Sequence, residues 1–404
     1  MTGHGADPRG LRVLIAAGGS GGHVFPGIAL ARALTEHDPT TVVRFAGTSR
    51  GIESRAVRDA GFPLDLLPIL PFYRRAAAES LAAPFAAVRG VVAARRLVRR
   101  ERIDVVCGMG AYVTLPVAVG AWLARVPVVL HEQNAVPGIA NRLAARVART
   151  VALGVAEAAA AFRAAGARTR VVGNPVRAEL TRLDRTALRD QALAAFDLDP
   201  RRRTLFAFGG SHGARSLNDA LIAATPHWPE PTAVQVLHAC GPTFEADVRT
   251  AWAAADPARR GLVVRVVPFV DRTDLAYAAA DLVLTRAGAS TIAELTAVGV
   301  PAVMVPLQSA TAGHQTANAR AVAAAGGAVV LYDADLGGPE LAAVLAPALA
   351  DPERLTAMAE AMHGLGRPAA AEGLAALVRE AAGGTSPDLR VDTDTTPMTG
   401  TRIH

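Results

Sequence analysis

The feature that most constrains this chain is an alternation. Short β-branched runs take turns with longer alanine-rich stretches along nearly its whole length. In the first part the runs are Arg12 to Ala16, Val42 to Ala46, Val105 to Cys107, Val128 to Leu130 and Thr150 to Leu153. In the second they are Thr204 to Phe208, Val234 to His238, Val263 to Val266, Leu282 to Thr285, Ala302 to Val305 and Ala328 to Leu331. Strands that alternate with helices form parallel sheets covered on both faces. There are too many strands for one open sheet, and a polar, arginine-containing stretch from Arg177 to Arg203 divides them. The expectation is an α/β protein with two doubly wound, Rossmann-like domains over residues 10–175 and 176–351. A C-terminal helix, about 352–380, is expected to pack back on the first domain. Residues 1–9 and 383–404 are polar and rich in small residues and are expected to be disordered.

Composition narrows the class of protein. At 404 residues the chain has room for two cores. Hydrophobic residues at 51% and charged residues at 19% exclude a disordered or fibrous chain. Cys107 and Cys240 are the only cysteines, too few for a disulfide framework or a cysteine-rich metal site. All 42 basic residues are arginine, and the net charge of +6 favours anionic partners such as nucleotides, diphosphates or acidic lipid headgroups. These numbers do not choose among them. The N-terminus has no secretory signal pattern. Val105 to Ala124 carries no charge and matches a bilayer span in length alone. Gly108, Gly110, Pro116 and Gly120 interrupt it, so it reads as strand, loop and helix.

Three strand–glycine loop–helix turns carry the chemistry. The first is Gly18-Gly19-Ser20-Gly21-Gly22-His23, after which a helix is expected to open at Phe25-Pro26 with proline in its first turn. Glycines allow backbone amides to approach an anion, and a helix N-terminus adds a favourable dipole. A dinucleotide fingerprint needs glycine where Val24 stands, and the second strand ends in Phe45-Ala46-Gly47 without an acidic residue for a ribose. At a helix N-terminus the neutral form of His23 is favoured, which suits a general base; helix capping is the plainer alternative. The second domain holds Gly209-Gly210-Ser211-His212-Gly213-Ala214 and Arg286-Ala287-Gly288-Ala289-Ser290-Thr291. Two such turns on parallel strands suit a nucleoside diphosphate at the carboxyl edge of a sheet. Glu294 then reads either as an acceptor for ribose hydroxyls or as the far member of a capping box with Thr291. The D-x-D pairs Asp197/Asp199, Asp333/Asp335 and Asp392/Asp394 read as solvated residues rather than metal ligands.

Taken together and in order, these motifs resemble the MurG family of peptidoglycan N-acetylglucosaminyltransferases, which have the GT-B fold of two such domains facing across a cleft. The likeness runs from about Arg12 to Val378. It also includes Gly108 to Val113, His131-Glu132-Gln133-Asn134, Gly173-Asn174-Pro175-Val176-Arg177 and Gln315-Thr316-Ala317-Asn318-Ala319. The resemblance implies an inverting enzyme that moves N-acetylglucosamine from UDP-N-acetylglucosamine to the 4-hydroxyl of the muramyl unit of lipid I, giving lipid II. It implies that the second domain holds the donor: uracil near Phe269 and Val270, ribose at Glu294, diphosphate at Ser211, Ala289, Ser290 and Thr291. The sugar falls to His314 and Gln315, and Arg177 lies at the cleft. From the first domain Ser20, Gly21, Gly22 and Asn134 also approach the donor. The acceptor diphosphate lies on Gly18, Gly19, Gly108, Gly110 and Tyr112, with Asn141 nearby. His23 is the candidate base, and Glu132 and Asn134 complete the catalytic set. Neither a cofactor nor a catalytic metal is implied, because helix N-termini and fixed amides hold the departing diphosphate.

The lipid acceptor implies peripheral attachment to the anionic cytoplasmic face of the bacterial cell membrane, alongside other cell-wall synthesis proteins and without nucleic acid. Leu81, Phe85, Val88 and Val92 repeat at helical spacing, with Arg89, Arg95, Arg96, Arg99 and Arg100 along or after them and Phe72, Tyr73 and Trp122 as neighbours. By spacing alone the same stripe also suits packing on the sheet. Four positions depart from the family pattern: Ser20 for threonine, Ala111 for a glycine, His212 for glutamine, and His314 for an amide or carboxylate. The two histidines would face the donor, so a related transferase with another sugar or acceptor stays open at this point.

Overall fold

The computed structural model describes residues 10–49, 51–69, 83–163, 165–210, 213–308 and 313–383, with the backbone alone for 83–86. In the first lobe strands and helices alternate in chain order. They begin with β1 (Arg12–Ala16), α1 (Gly21–His37), β2 (Val42–Gly47), α2 (Glu53–Asp59) and β3 (Leu64–Leu66). Then come α3 (Ala83–Arg100), β4 (Val105–Gly108), α4 (Thr114–Leu123), β5 (Val128–Glu132) and α5 (Ile139–Ala144). The lobe closes with β6 (Thr150–Leu153), α6 (Ala159–Arg163) and β7 (Arg168–Val171). The seven strands are all parallel in the order β3-β2-β1-β4-β5-β6-β7.

The second lobe opens with α7 (Ala178–Thr181) and α8 (Arg185–Ala195), which occupy the polar divider. It continues through β8 (Arg203–Phe208), α9 (Arg215–Ala223), β9 (Val234–Ala239), α10 (Glu245–Ala255), β10 (Val263–Val267) and α11 (Thr273–Ala279). Next are β11 (Leu282–Thr285), α12 (Ala289–Val298), β12 (Ala302–Met304), α13 (His314–Ala324) and β13 (Ala328–Val330). Its six parallel strands run β10-β9-β8-β11-β12-β13.

Both sheets are buried on both faces, which is why their strands read as continuous apolar runs. In β1 the period of two is visible: Val13 and Ile15 join the core under α1, while Leu14 and Ala16 join the core under α3 and α4. Gly120 lets α4 press on α3, since a β-carbon there would lie 2.8 Å from Ala94 Cβ. The two strands missed in the sequence, β3 and β7, are sheet edges. Their half-solvated residues, Leu-Asp-Leu and Arg-Thr-Arg-Val, carry no continuous apolar run.

The C-terminal helix expected over 352–380 is two helices rather than one. After α14 (Gly338–Ala350), α15 (Pro352–Gly364) stays on the second lobe, where Met362 is fully buried. The chain turns at Gly366, and α16 (Ala370–Ala381) returns to the first lobe with Leu374, Leu377 and Val378 in the core against α1. Residues 384–404 and 1–9 lie outside the described part.

Candidate active site

In a doubly wound sheet a ligand meets the carboxyl ends of the strands where the strand order reverses. The first sheet reverses between β1 and β4, and the loops that follow those strands are Ala17–Ser20 and Met109–Val113. The second reverses between β8 and β11, whose loops are 209–214 and Arg286–Gly288. The two switch points face each other, since Ser290 Oγ donates to the carbonyl of Gly22 at 3.1 Å across the lobes.

α1 begins at Gly21, four residues before the expected Phe25, because the backbone turns helical directly after Ser20. Pro26 therefore lies inside the helix rather than in its first turn. Having no N–H, it leaves the carbonyl four residues back, that of Gly22, without its usual helical donor. That is the carbonyl Ser290 reaches. His23 sits in the first turn of α1, with Nδ1 2.7 Å from the carbonyl oxygen of Met109. A carbonyl only accepts, so Nδ1 carries the proton and Nε2 is the basic nitrogen. Burial pushes the imidazole below its ordinary value, opposed by the Met109 bond and the charge of Glu132. Gln133 Nε2 donates to the same Met109 carbonyl at 2.8 Å, so His23 and the loop after β5 share one acceptor.

Glu132, expected in the catalytic set, is instead a scaffold. Its carboxylate, 2% exposed, accepts the Asn134 amide, Asn134 Nδ2, the Gly138 amide and Asn141 Nδ2 at 3.0–3.2 Å. Four donors occupy its two oxygens, two on each. Asn141 is fully buried beneath the same loop, bonded also to the His131 carbonyl, and does not line the cleft. Asn134 is likewise engaged, between Glu132 and Asn318 of the other lobe.

The glycines of the first lobe divide by role. A β-carbon on Gly108 would collide with Thr114 and Leu130, so this glycine serves packing. Gly110 has a positive φ of 87°, and a β-carbon there would lie 3.5 Å from His23 Cε1. Gly18 and Gly19 lie on Glu53, a fully buried carboxylate that accepts the Gly19 amide at 2.9 Å and the Thr48 amide and hydroxyl. The Gly19 amide is thus committed within the protein and not open to an acceptor diphosphate. Tyr112 stacks near Gly19, and its hydroxyl is 2.7 Å from Thr48 Oγ1. Nothing local in the sequence marks Glu53; only the return of α2 beneath the glycine loop does. Ser20 caps α1 by backbone position without a side-chain bond, and its Oγ and that of Ser290 flank Gly22.

In the second lobe α12 is capped at Gly288, and Thr291 makes no capping bond. The capping-box reading fails because Thr291 is already inside the first turn. Glu294 Oε2 instead accepts the Tyr277 hydroxyl at 2.9 Å, and its Oε1 lies 3.7 Å from Arg177. Burial raises the Glu294 carboxyl, opposed by Arg177 and then Tyr277. Arg177 also donates to Thr273 Oγ1 at 2.6 Å and lies over the Phe25 ring of α1 at 5.6 Å, joining the lobes. Ala289, Ser290 and Thr291 form the amino end of α12 beside this cluster, while Phe269 is 46% exposed and Val270 buried on the approach. His314 and Gln315 open α13, with Gln315 Oε1 accepting the Leu307 amide at 3.0 Å. Ser211 and His212 lie outside the described residues.

Asp333, expected to be solvated, pairs with the buried Arg286 at 2.7 Å, and Arg286 donates as well to Ser216 and to the Val305 carbonyl. Asp197 and Asp199 do pair at the surface, with Arg265 and Arg201. Among the described residues no group of three or more His, Cys, Asp or Glu is placed to hold a metal ion.

On α3 the face turned to the protein is Gly90, Ala94, Leu97 and Val98, while Val88 is 61% and Val92 41% exposed. The stripe of Val88 and Val92 therefore points outward and is not the packing face. Arg89, Arg95, Arg96, Arg99 and Arg100 are exposed along it, and Trp122 and Leu123 are exposed at the end of α4. Phe72, Tyr73 and Leu81 and the side chain of Phe85 lie outside the described part. No described helix is long and apolar enough to cross a membrane.

Two parallel-sheet lobes with opposed switch points, one bearing an imidazole held by a backbone carbonyl and the other a half-buried carboxylate beside a glycine loop, define a GT-B glycosyltransferase. Residues 13–153 match the glycosyltransferase family 28 N-terminal domain and residues 204–374 its C-terminal domain. The chain is 44% identical to the UDP-N-acetylglucosamine–N-acetylmuramyl-(pentapeptide) pyrophosphoryl-undecaprenol N-acetylglucosamine transferase of Nocardioides sp., over 93% of this chain and 100% of that one. It is 43% identical to the protein of the same name from Acidothermus cellulolyticus, over 92% and 98%. Among solved structures, MurG of Acinetobacter baumannii superposes with a TM-score of 0.72 at 31% identity, covering 92% of this chain and 99% of that one. The chain belongs to the MurG family within glycosyltransferase family 28.

Proposed function

We propose that this protein transfers N-acetylglucosamine from UDP-N-acetylglucosamine to the 4-hydroxyl of the muramyl unit of undecaprenyl-diphospho-muramoyl-pentapeptide, with inversion, at the cytoplasmic surface of the cell membrane. The observation that carries the reading is the pairing of His23, its tautomer set by Met109, with the donor-lobe loop of Ser290 one residue away across the cleft. His23 Nε2 takes the proton of the attacking hydroxyl as that oxygen bonds to the anomeric carbon and the bond to UDP breaks. Negative charge gathers on the departing diphosphate, where the amino end of α12 and Arg177 stabilise it. Glu294 accepts the ribose hydroxyls, with Tyr277 and Arg177 holding its carboxylate in place. The outward Val88, Val92 and Trp122 with the α3 arginines suit an anionic lipid surface, which brings the lipid-linked acceptor to the cleft.

The reaction needs no metal in this scheme, so turnover in excess chelator equals turnover without it. Incubation with the donor and a lipid I analogue yields UDP and the lipid-linked disaccharide. Absence of UDP release with that acceptor, when the protein binds UDP, overturns the reading.

A further inference from the structure

Glu53, the first residue of α2, is fully buried at the carboxyl edge of the first sheet, where the loops after the neighbouring strands β2, β1 and β4 meet. Its Oε1 accepts the Thr48 amide at 3.0 Å and the Thr48 hydroxyl at 2.9 Å, and its Oε2 accepts the Gly19 amide at 2.9 Å. A carboxylate only accepts, so the one hydroxyl proton of Thr48 points at Glu53. In the 2.7 Å contact between Thr48 Oγ1 and Tyr112 the phenol is therefore the donor. Donation runs one way, from Tyr112 through Thr48 to Glu53. Glycine makes the room: a β-carbon on Gly18 would lie 2.9 Å from Glu53 Oε1, one on Gly47 2.8 Å from its Cγ, and one on Gly51 would strike Oε2.

The place of His23 depends on the same carboxylate. Met109 is fixed by the sheet, its amide donating to the carbonyl of Ala16 at 2.9 Å. His23 is reached from that same Ala16 only through the link Ala17–Ser20, after which α1 opens at Gly21. The Ala17 amide extends the strand ladder onto the Ala46 carbonyl at 3.2 Å. Beyond it the chain turns at Gly19, with φ at 83°, and there the amide is gripped by Glu53. We propose that Glu53 is a positioning residue for transfer: through the Gly19 amide it sets the link that carries His23 to the Met109 carbonyl, and so sets which ring nitrogen is basic. This deepens the transfer reading given above and rests on it. Glutamine cannot replace it. Both carboxylate oxygens face donors, and an amide that keeps its oxygen on Thr48 turns its NH₂ against the Gly19 amide. A displacement on the order of 1 Å between reacting groups costs about 10²-fold in rate.

The test uses the full chain and Glu53→Gln. The expected result is a kcat lowered by about 10–100-fold at saturating lipid I analogue, while the affinity for UDP, which the donor lobe would hold, stays within about twofold. Nitrogen NMR of histidine-labelled protein, above the ordinary imidazole pKa and with His23 assigned by its loss in His23→Ala, reads the tautomer directly. The parent shows the proton on Nδ1 alone, and Glu53→Gln shows a mixture of the two tautomers. Thr48→Val is the control for mere loss of a buried bond: it removes a donor to the same carboxylate but keeps the Gly19 bond, so it lowers Tm and leaves the single tautomer. Glu53→Asp, whose carboxylate is drawn back by one methylene, gives the same split between kcat and UDP affinity and carries the test if the glutamine variant does not fold. Unchanged kcat, a loss of UDP affinity in step with kcat, or a single Nδ1-protonated ring in the Glu53 variants overturns the proposal. So does a tautomer mixture in Thr48→Val. Ring tautomer and UDP affinity need no acceptor. A parent enzyme that fails to transfer therefore counts against the transfer reading alone, and the positioning role is then decided by the tautomer.

Discussion

His23 Nδ1 and the Met109 carbonyl oxygen stand 2.7 Å apart, and this one bond decides which nitrogen of the ring is basic. His23→Ala removes the proton acceptor and leaves the donor lobe untouched. The expected outcome is a kcat lower by about 10²–10⁴-fold with UDP affinity by calorimetry unchanged. A variant as fast as the parent removes His23 from the reaction.

The pH profile carries a sign. Burial lowers the His23 pKa below the usual 6.5, so the neutral, basic form persists through neutral pH. The rate constant kcat/KM should be level down to that value and fall with one proton below it. An acid limb centred at or above 6.5 contradicts the buried imidazole.

Glu294 makes no cap on α12 and is held by Tyr277 at 2.9 Å. Glu294→Ala should weaken UDP binding by about 10–100-fold, since hydrogen bonds to a charged group contribute roughly 1.5–3 kcal/mol. Little change in UDP affinity, with the loss appearing only as a lower Tm, would make the carboxylate a structural group.

Val88→Asp with Val92→Asp should abolish cosedimentation with vesicles of anionic lipid without lowering Tm, because both side chains already face outward. Raising salt should weaken binding by the parent, as screening reduces the pull on the α3 arginines. Undiminished sedimentation of the variant would place the membrane surface elsewhere.

Acid stability follows from two other histidines. His131 Nε2 donates to the Gly173 carbonyl, and His238 lies between Asn218 and Trp252; burial pushes each down to about 4. Below 6.5 the unfolded chain binds these protons and the folded one does not, so stability falls with pH from 6.5 toward 4. Each contributes on the order of 3 kcal/mol to that loss. Urea midpoints that stay level across this window would show that neither ring is kept neutral.

Much of the architecture was legible. Eleven of the strands stand out because parallel strands are covered on both faces and show as apolar runs, whereas β3 and β7 are edges without that pattern. The candidate base and the anion loops were also visible, since glycine runs between strand and helix have few other uses. What stayed hidden were the partners of those residues. Glu53, Met109, Tyr277 and Asn318 come from distant parts of the chain, and Glu132 looked chemical until its four donors were seen.

Sequence alone determined the two parallel lobes, the loops at their carboxyl edges and the residue types set there, because local backbone preference and apolar periodicity act over neighbours. Tertiary structure alone decided which nitrogen of His23 is basic, that Glu132 holds a loop, that Val88 and Val92 face outward, and that Ser290 and Asn318 bridge the lobes. A hydrogen bond constrains two atoms wherever they lie in the chain, and its partner has no signature at either position.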